Sequence, residues 1–258
     1  PGQHRWGAYE LITVLGEGAT SVVYRADRVG TGGFRKPMAL KILRNDDPAV
    51  AAAMLDEARL TAMLHHPNIV DTYDVSEHNG RITIAMELID GGQSAAEMLE
   101  MGGPFSAQAA TELMIQTCNG LHYAHTLRVG GRKLRVVHRD IKPENLVVEP
   151  SGRVKIIDFG IATTTEFAPS QPVAGTVGYF APETLHRSGL DARADVFSVG
   201  AVLLQLLLGE LPWPCKPAPY ILASAHLADH LPADLAPALA RIIERCLQPE
   251  PADRYQSA

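Results

Sequence analysis

Gly16-Glu17-Gly18-Ala19-Thr20-Ser21-Val22-Val23 is a glycine-bearing turn between two stretches of strand-like alternation. A backbone free of side chains there can lie flat over a polyphosphate and offer its N–H groups to the oxygens. Read alone, the same turn is equally an ordinary hairpin. Further along, Met38-Ala39-Leu40-Lys41 sets a lysine in an apolar strand, where an ammonium is costly to bury unless an anion and a carboxylate meet it. Glu57, in Leu55-Asp56-Glu57-Ala58-Arg59 on the next predicted helix, can supply that carboxylate and leave the lysine held toward the α- and β-phosphates of a nucleotide. Considered without context, a surface lysine and a surface glutamate account for these two residues as well.

Strands must carry the turn and the lysine, and the pattern supplies them. Tyr9 to Leu15, Ser21 to Arg25 and Met38 to Leu43 alternate as antiparallel strands do, with a second glycine turn at Thr31-Gly32-Gly33. Pro48 to Leu64 is rich in Ala, Leu, Met, Glu and Arg, a helical composition. Two more strands are predicted around Ile69 to Val75 and Arg81 to Leu88, after which Asp90-Gly91-Gly92 interrupts the pattern as a hinge would. Beyond it the apolar spacing turns helical in Ala107 to Thr126, Ala194 to Leu208 and Leu235 to Cys246. Strands first and helices later imply a small sheet lobe joined to a larger helical lobe, an α+β arrangement. Arg128 to Arg135 holds four basic residues around Gly130-Gly131. It reads as a solvated turn before a strand, with substrate docking as the alternative.

At 258 residues, 46% hydrophobic and 20% charged, the chain can bury a large, mainly aliphatic core. A net charge of −6 argues against a nucleic-acid binder. Cys118, Cys215 and Cys246 lie far apart without paired spacing, so neither a zinc site nor a disulfide framework is indicated and a reducing, cytoplasmic setting fits. The longest apolar run, Val199 to Leu208, is too short to span a bilayer and reads as a core helix. The abrupt ends suggest a domain cut from something longer, which leaves room for a membrane anchor outside this segment.

Two segments of the second half give the first half its context: Val137-His138-Arg139-Asp140-Ile141-Lys142-Pro143-Glu144-Asn145 before the strand Leu146-Val147-Val148, and then Ile156-Ile157-Asp158-Phe159-Gly160. With these the chain resembles the eukaryotic-type protein serine/threonine kinase family from Tyr9 to Arg254. The resemblance implies a bilobal fold, with an antiparallel-sheet N-lobe with one main helix (9–86), a hinge (87–92) and a helical C-lobe (93–258), residues 1–8 being a flank. It implies MgATP as phosphoryl donor and proteins bearing Ser or Thr as acceptors. It also implies the roles of the kinase template. Asp140 accepts the hydroxyl proton, Lys142 sits on the γ-phosphate, and Lys41, paired with Glu57, holds the α- and β-phosphates. Asn145 and Asp158 are the Mg²⁺ ligands, hard oxygens suited to that ion. Leu15, Gly16, Glu17 and Gly18 line the nucleotide; Val23, Ala39 and Val147 sandwich the adenine; Met86 is the gatekeeper; Glu87 and Ile89 present backbone groups to the ring. Gly175-Thr176 and Ala181-Pro182-Glu183 resemble the end of an activation segment, with Thr176 expected to bond Asp140 and Lys142, and Glu183 to pair with Arg254. Asp195 resembles the buried aspartate that braces the catalytic loop.

The departures from the family pattern are few. Ser21 replaces the third glycine of the loop, and Phe197 stands where tryptophan is usual. Thr61 and Thr72 occupy places that large aliphatics fill in the stack with His138 and Phe159, so two buried hydroxyls there loosen the stack unless they bond each other or water; filling both places with leucine is expected to complete the stack. Arg139 is expected to receive a phosphate from the segment Thr163-Thr164-Thr165 to Ser170, added by autophosphorylation, with a dimer as the vehicle for reaction in trans. Ala-rich composition and the segment Gly32 to Pro37 resemble bacterial members. A pseudokinase scaffold is the alternative, although Lys41, Glu57, Asp140, Asn145 and Asp158 are all present. A small-molecule kinase would not be expected to carry the Gly-Thr and Ala-Pro-Glu segment.

Overall fold

The computed structural model describes residues 4–18, 20–44, 48–159, 176–186, 190–213, 231–232 and 235–258. They divide into two compact units, one holding the chain up to His66 and Val70–Gly91, the other Pro67–Ile69 and everything from Gly92 onward.

The first unit is an antiparallel sheet of β1 (His4–Trp6), β2 (Tyr9–Glu17), β3 (Ser21–Val29), β4 (Arg35–Leu43), β5 (Thr72–His78) and β6 (Arg81–Met86), in the order β1-β2-β3-β4-β6-β5, with one helix, α1 (Pro48–Thr61). Side chains alternate across a strand, and that alternation sorts the two faces. Met38, Leu40 and Ile42 of β4 join Tyr9, Ala26 and Ala85 in one buried cluster. The opposite face carries Leu43, Ile82 and Ile84 against Met54 and Ala58 of α1. Residues 1–8, expected as a flank, contribute β1: His4 to Trp6 pair with Leu11 to Tyr9, and the Trp6 indole donates to Thr83 Oγ1 at 2.9 Å. The glycine turn is also shorter than its sequence suggests, because Gly16 and Glu17 remain in β2 opposite Val23 and Val22.

Strand β5 starts at Thr72 rather than Ile69 for a physical reason. Residues 67–69 belong to the second unit, where Ile156 N–H donates to Asn68 O at 2.9 Å, Asn68 Nδ2 donates to Val154 O at 2.9 Å, and Ile69 bridges Ile156 in parallel. Strand β6 ends at Met86, short of the expected Leu88, and Glu87 N–H donates to Asp71 O at 2.9 Å.

The second unit contains β7 (Gln93–Ser94), α2 (Ala95–Gly102), α3 (Ala107–Thr126), β8 (Arg128–Val129), β9 (Arg132–Lys133), β10 (Leu146–Val148), β11 (Val154–Ile156), α4 (Ala192–Leu208) and α5 (Pro237–Cys246). Helix α2 opens on a capping box between Ser94 and Glu97, and Ser106 caps α3 by accepting from Ala109 N–H. Helix α4 is mostly apolar because most of it is buried. It begins two residues earlier than the apolar pattern, at the Asp191 cap. A Cβ at Gly200 would come within 2.6 Å of Cys246 Cβ, so only glycine lets α4 and α5 lie this close. Pro237 starts α5 at its first turn, two residues later than expected. The basic segment after α3 is an exposed hairpin, β8–β9, turning through Gly130 and Gly131 at φ 57° and 82°. Both angles favour glycine. Strands concentrate in one unit and helices in the other, an α+β fold. Among the described residues, no helix is long and apolar enough to cross a membrane.

Candidate active site

In the first unit the pleat places the predicted nucleotide residues. Val23 lies opposite Lys41, Lys41 opposite Ile84, and Ala39 opposite Met86. These residues share the face that α1 covers, so Lys41 is aimed toward the helix, and its Nζ meets Glu57 Oε1 at 2.8 Å with both side chains about nine-tenths buried. Leu15 is half exposed on β2, beside Gly16 and Glu17. Gly18 N–H donates to Ser21 O at 2.9 Å, and Arg44 grips the turn by donating Nε to Gly18 O at 3.1 Å and pairing with Glu17. Arg44 had no role in the sequence reading; its only signal is a cation just past the end of the lysine strand. Glu87 spends its N–H on Asp71, which leaves its carbonyl as the backbone group to present, and Ile89 follows in the half-buried stretch after β6.

In the second unit the loop from Val137 to Asn145 is seated by buried Val136, Val137 and Ile141. Arg139 in this loop takes a left-handed backbone angle, φ 71°, and so does Asp158 after β11, at φ 65°. Such angles persist only where the surroundings enforce them. The enforcing group at Arg139 is Asp195, fully buried near the start of α4. Its Oδ1 accepts Arg139 N–H at 2.8 Å, and its Oδ2 accepts His138 N–H at 2.8 Å and His125 Nε2 at 2.7 Å. Burial alone would push this carboxyl up. The hydrogen bond and charge of His125, with His138 and the Arg139 amide, override burial and hold the carboxyl below its usual range.

His138 is the second buried polar group of the loop. Burial pushes its imidazole below the ordinary histidine range, against the pull of Asp195, the Ile157 carbonyl, Asp140 and Asp158. A neutral ring fits its partners: Nε2–H donates to Ile157 O at 3.2 Å, and Nδ1 accepts Asp140 N–H at 3.2 Å. The ring lies 4.4 Å from that of Phe159, centroid to centroid.

On this frame the Asp140 carboxylate gathers its neighbours. Oδ1 accepts Thr176 Oγ1–H at 2.7 Å and Thr176 N–H at 2.9 Å; Oδ2 is approached by Asn145 Nδ2 at 3.2 Å and Lys142 Nζ at 3.3 Å. Lys142 Nζ also donates to Thr176 Oγ1 at 2.9 Å. Asn145 Nδ2 is fixed by a second acceptor, the Asp140 carbonyl at 2.8 Å. Its amide oxygen is thereby turned from Asp140, and the Asp158 carboxylate belongs to an exposed residue. An amide oxygen and a carboxylate suit a hard divalent cation such as Mg²⁺. Val147 sits in β10, paired with Ser94 and Lys155.

Behind this group, Glu183 and Arg254 form a bidentate pair at 2.8 Å in both arms. Arg254 is fully buried and also donates to the carbonyls of Gln248, Pro249 and Arg193, its guanidinium lying 5.0 Å from the Phe197 ring. Thr163 to Ser170 and Gly175 lie outside the described residues. The sequence reading missed His125: 70 positions separate it from Asp195, and a histidine in the last turn of α3 carries no local sign of that partner.

A protein kinase domain model matches residues 9–258. The chain is 33% identical to the serine/threonine-protein kinase PknB of Mycolicibacterium smegmatis, over 99% of this chain and 42% of that protein. It is 35% identical to a probable serine/threonine-protein kinase of Streptomyces coelicolor, over 98% and 38%, and 31% identical to PrkC of Bacillus subtilis, over 98% and 39%. The chain thus spans about two fifths of the length of these relatives. With the matched model running from the start of β2 to the end of the chain, the chain belongs to the protein kinase domain family.

Proposed function

We propose that this chain is the catalytic domain of a bacterial serine/threonine protein kinase, moving the γ-phosphoryl group of ATP to Ser and Thr hydroxyls of proteins. The observation that carries the proposal is the Asp140 carboxylate, one oxygen gripped by Thr176 and the other loosely approached by Asn145 and Lys142.

A carboxylate offers about four acceptor positions. Two of them lie on Oδ1, and two short bonds from Thr176 fill those. At Oδ2 the two contacts are long, so this oxygen can take a hydroxyl proton from an incoming side chain. Lys142, already shared with Thr176, is the cation to turn to the γ-phosphate as the hydroxyl oxygen bonds to phosphorus and the bond to the β-phosphate oxygen breaks. The Asn145 amide oxygen and Asp158 would hold Mg²⁺, which would supply positive charge to offset that of the phosphates. In the first unit Lys41, steadied by Glu57, serves the α- and β-phosphates, and Val23, Ala39 and Met86 give the adenine an apolar seat. Autophosphorylation within Thr163 to Ser170 belongs to the same proposal. A scaffold without transfer has no observation in its favour, since the Lys41–Glu57 pair and the Asp140 group are both assembled.

The test is incubation with labelled ATP and Mg²⁺ and a generic basic protein, with the products resolved as phosphoamino acids and mapped by mass spectrometry. Wild type should yield phosphoserine or phosphothreonine, and Asp140→Asn should lose roughly 10²–10⁴-fold in rate. No transfer by wild type, or transfer at the wild-type rate by Asp140→Asn, would overturn the assignment.

A further inference from the structure

Thr61 ends α1 and Thr72 opens β5, and both are buried. Their hydroxyls form a short relay: Thr72 Oγ1–H donates to Thr61 Oγ1 at 2.9 Å, and the Thr61 hydroxyl donates to the carbonyl of Glu57 at 3.0 Å, with the Ala58 carbonyl at 3.2 Å. The relay therefore ends on the backbone of the residue whose side chain holds Lys41.

Beside the relay and the Lys41–Glu57 pair, apolar contacts seat α1. Met54 and Ala58 rest on Leu43, Ile82 and Ile84, an apolar seam on which Ala58 offers a single methyl group. Apolar contact is non-directional, so a small turn of the helix about its axis keeps most of that burial while swinging Glu57 away. Hydrogen bonds weaken steeply with angle, and the relay resists that turn.

The sheet closes the circuit. Lys41 of β4 lies opposite Ile84 of β6, and β6 carries Met86 opposite Thr72 of β5. Lys41 is thus tied through three strands to Thr72, Thr72 through Thr61 to Glu57, and Glu57 back to Lys41. We infer that Thr61 and Thr72 are positioning residues, a polar latch that fixes the rotation of α1 so that Glu57 stays on Lys41. The inference rests on the reading of Lys41 as the phosphate-holding lysine. It reverses the expectation that leucine at both positions would help, because the hydroxyls have the partners they need.

The experiment compares Thr72→Val, which keeps the shape and removes the donor, with Thr72→Ser, which keeps the donor, each in the wild-type and Glu57→Gln backgrounds. With MgATP as the varied substrate, Thr72→Val should lower kcat/KM about tenfold, the effect of one buried hydrogen bond lost with its partner left behind. Thr72→Ser should stay within about twofold of wild type, and Thr72→Val in the Glu57→Gln background should cost less than about twofold, since coupled residues are non-additive. Equal losses in both backgrounds, or a serine variant as poor as the valine one, would overturn the latch. Hydrogen exchange of the amides from Glu57 to Ala62 in nucleotide-free protein gives a second reading that needs no transfer. Faster exchange in Thr72→Val than in Thr72→Ser is expected, and equal rates would overturn the latch. Absence of transfer by wild type would instead strike the proposed function and leave this reading to decide.

Discussion

Asp195→Asn tests whether the catalytic loop is held by one buried charge. The carboxylate accepts three donors, His125 Nε2, His138 N–H and Arg139 N–H, at 2.7, 2.8 and 2.8 Å. An asparagine has one acceptor oxygen. Placed at the Oδ2 position, that oxygen keeps His125 and His138 and sets an NH₂ against Arg139 N–H; flipped, it keeps Arg139 and opposes His138 N–H. In either orientation a buried backbone donor loses its partner, which costs about 1–3 kcal/mol. The bonds that survive lose their charge assistance, and charge-assisted bonds are roughly twice as strong as neutral ones. The sum is about 2–4 kcal/mol, near the figure for breaking a buried charged network. The orientation that frees Arg139 also releases its left-handed backbone, which carries Asp140 with it. Denaturant unfolding should show the stability loss, and steady-state transfer should show kcat falling at least tenfold while KM for ATP changes little. A variant within about 0.5 kcal/mol of wild type, the ordinary range for surface changes, with kcat intact would refute the argument.

Arg254→Lys should be strongly destabilising, because an ammonium cannot reproduce two arms to Glu183 and the carbonyl contacts of the guanidinium; a loss of about 3–5 kcal/mol is expected in denaturant unfolding. Burial pushes the Cys118 thiol up to about 11 and, with Cys118 nearby, the Cys246 thiol up to about 12, so at pH 8 iodoacetamide should label neither in native protein, as peptide mass mapping will show. His138 binds its proton less readily folded than unfolded, so its contribution to stability is full above the unfolded value near 6.5 and is lost as pH falls toward the depressed folded value. The melting temperature should therefore decline below about pH 6.5, and His138→Phe should flatten that decline.

The sequence laid out the elements wherever an apolar period was strong. The α3 boundaries are those its spacing predicts, and the order of the motifs placed Asp140, Lys142 and Asn145 on one loop. It was less informative where a residue's fate depends on which distant surface receives it. Ile69 sits in an apolar run that would serve either sheet, and its bridge to Ile156, with the Asn68 bonds to Val154 and Ile156, draws it into the second unit. The strand His4–Trp6 lies in a short polar segment whose anchor, the Trp6 indole on Thr83, spans 77 positions.

Buried polar groups show the limit most sharply, and at this site they hold the geometry. An apolar side chain needs only to be covered, so its period is enough to place it. A hydroxyl, imidazole or carboxylate out of water needs a particular partner at a particular angle, and its stability contribution is set by that partner. Thr61 and Thr72 read as two buried hydroxyls in an aliphatic stack that need each other or water; bonded to each other and to the Glu57 carbonyl they become a directional contact that leucines could not make. His125 is the same case: without Asp195 it is one more polar residue at a helix end, and with it, the third donor that keeps a buried carboxylate charged beneath the catalytic loop. Positioning in this domain is therefore encoded in pairs of residues far apart in the chain, while the groups proposed to react are encoded in contiguous motifs. Changes at Thr72, His125 or Asp195 should thus disturb geometry at Glu57 or Asp140 without altering any residue that touches substrate.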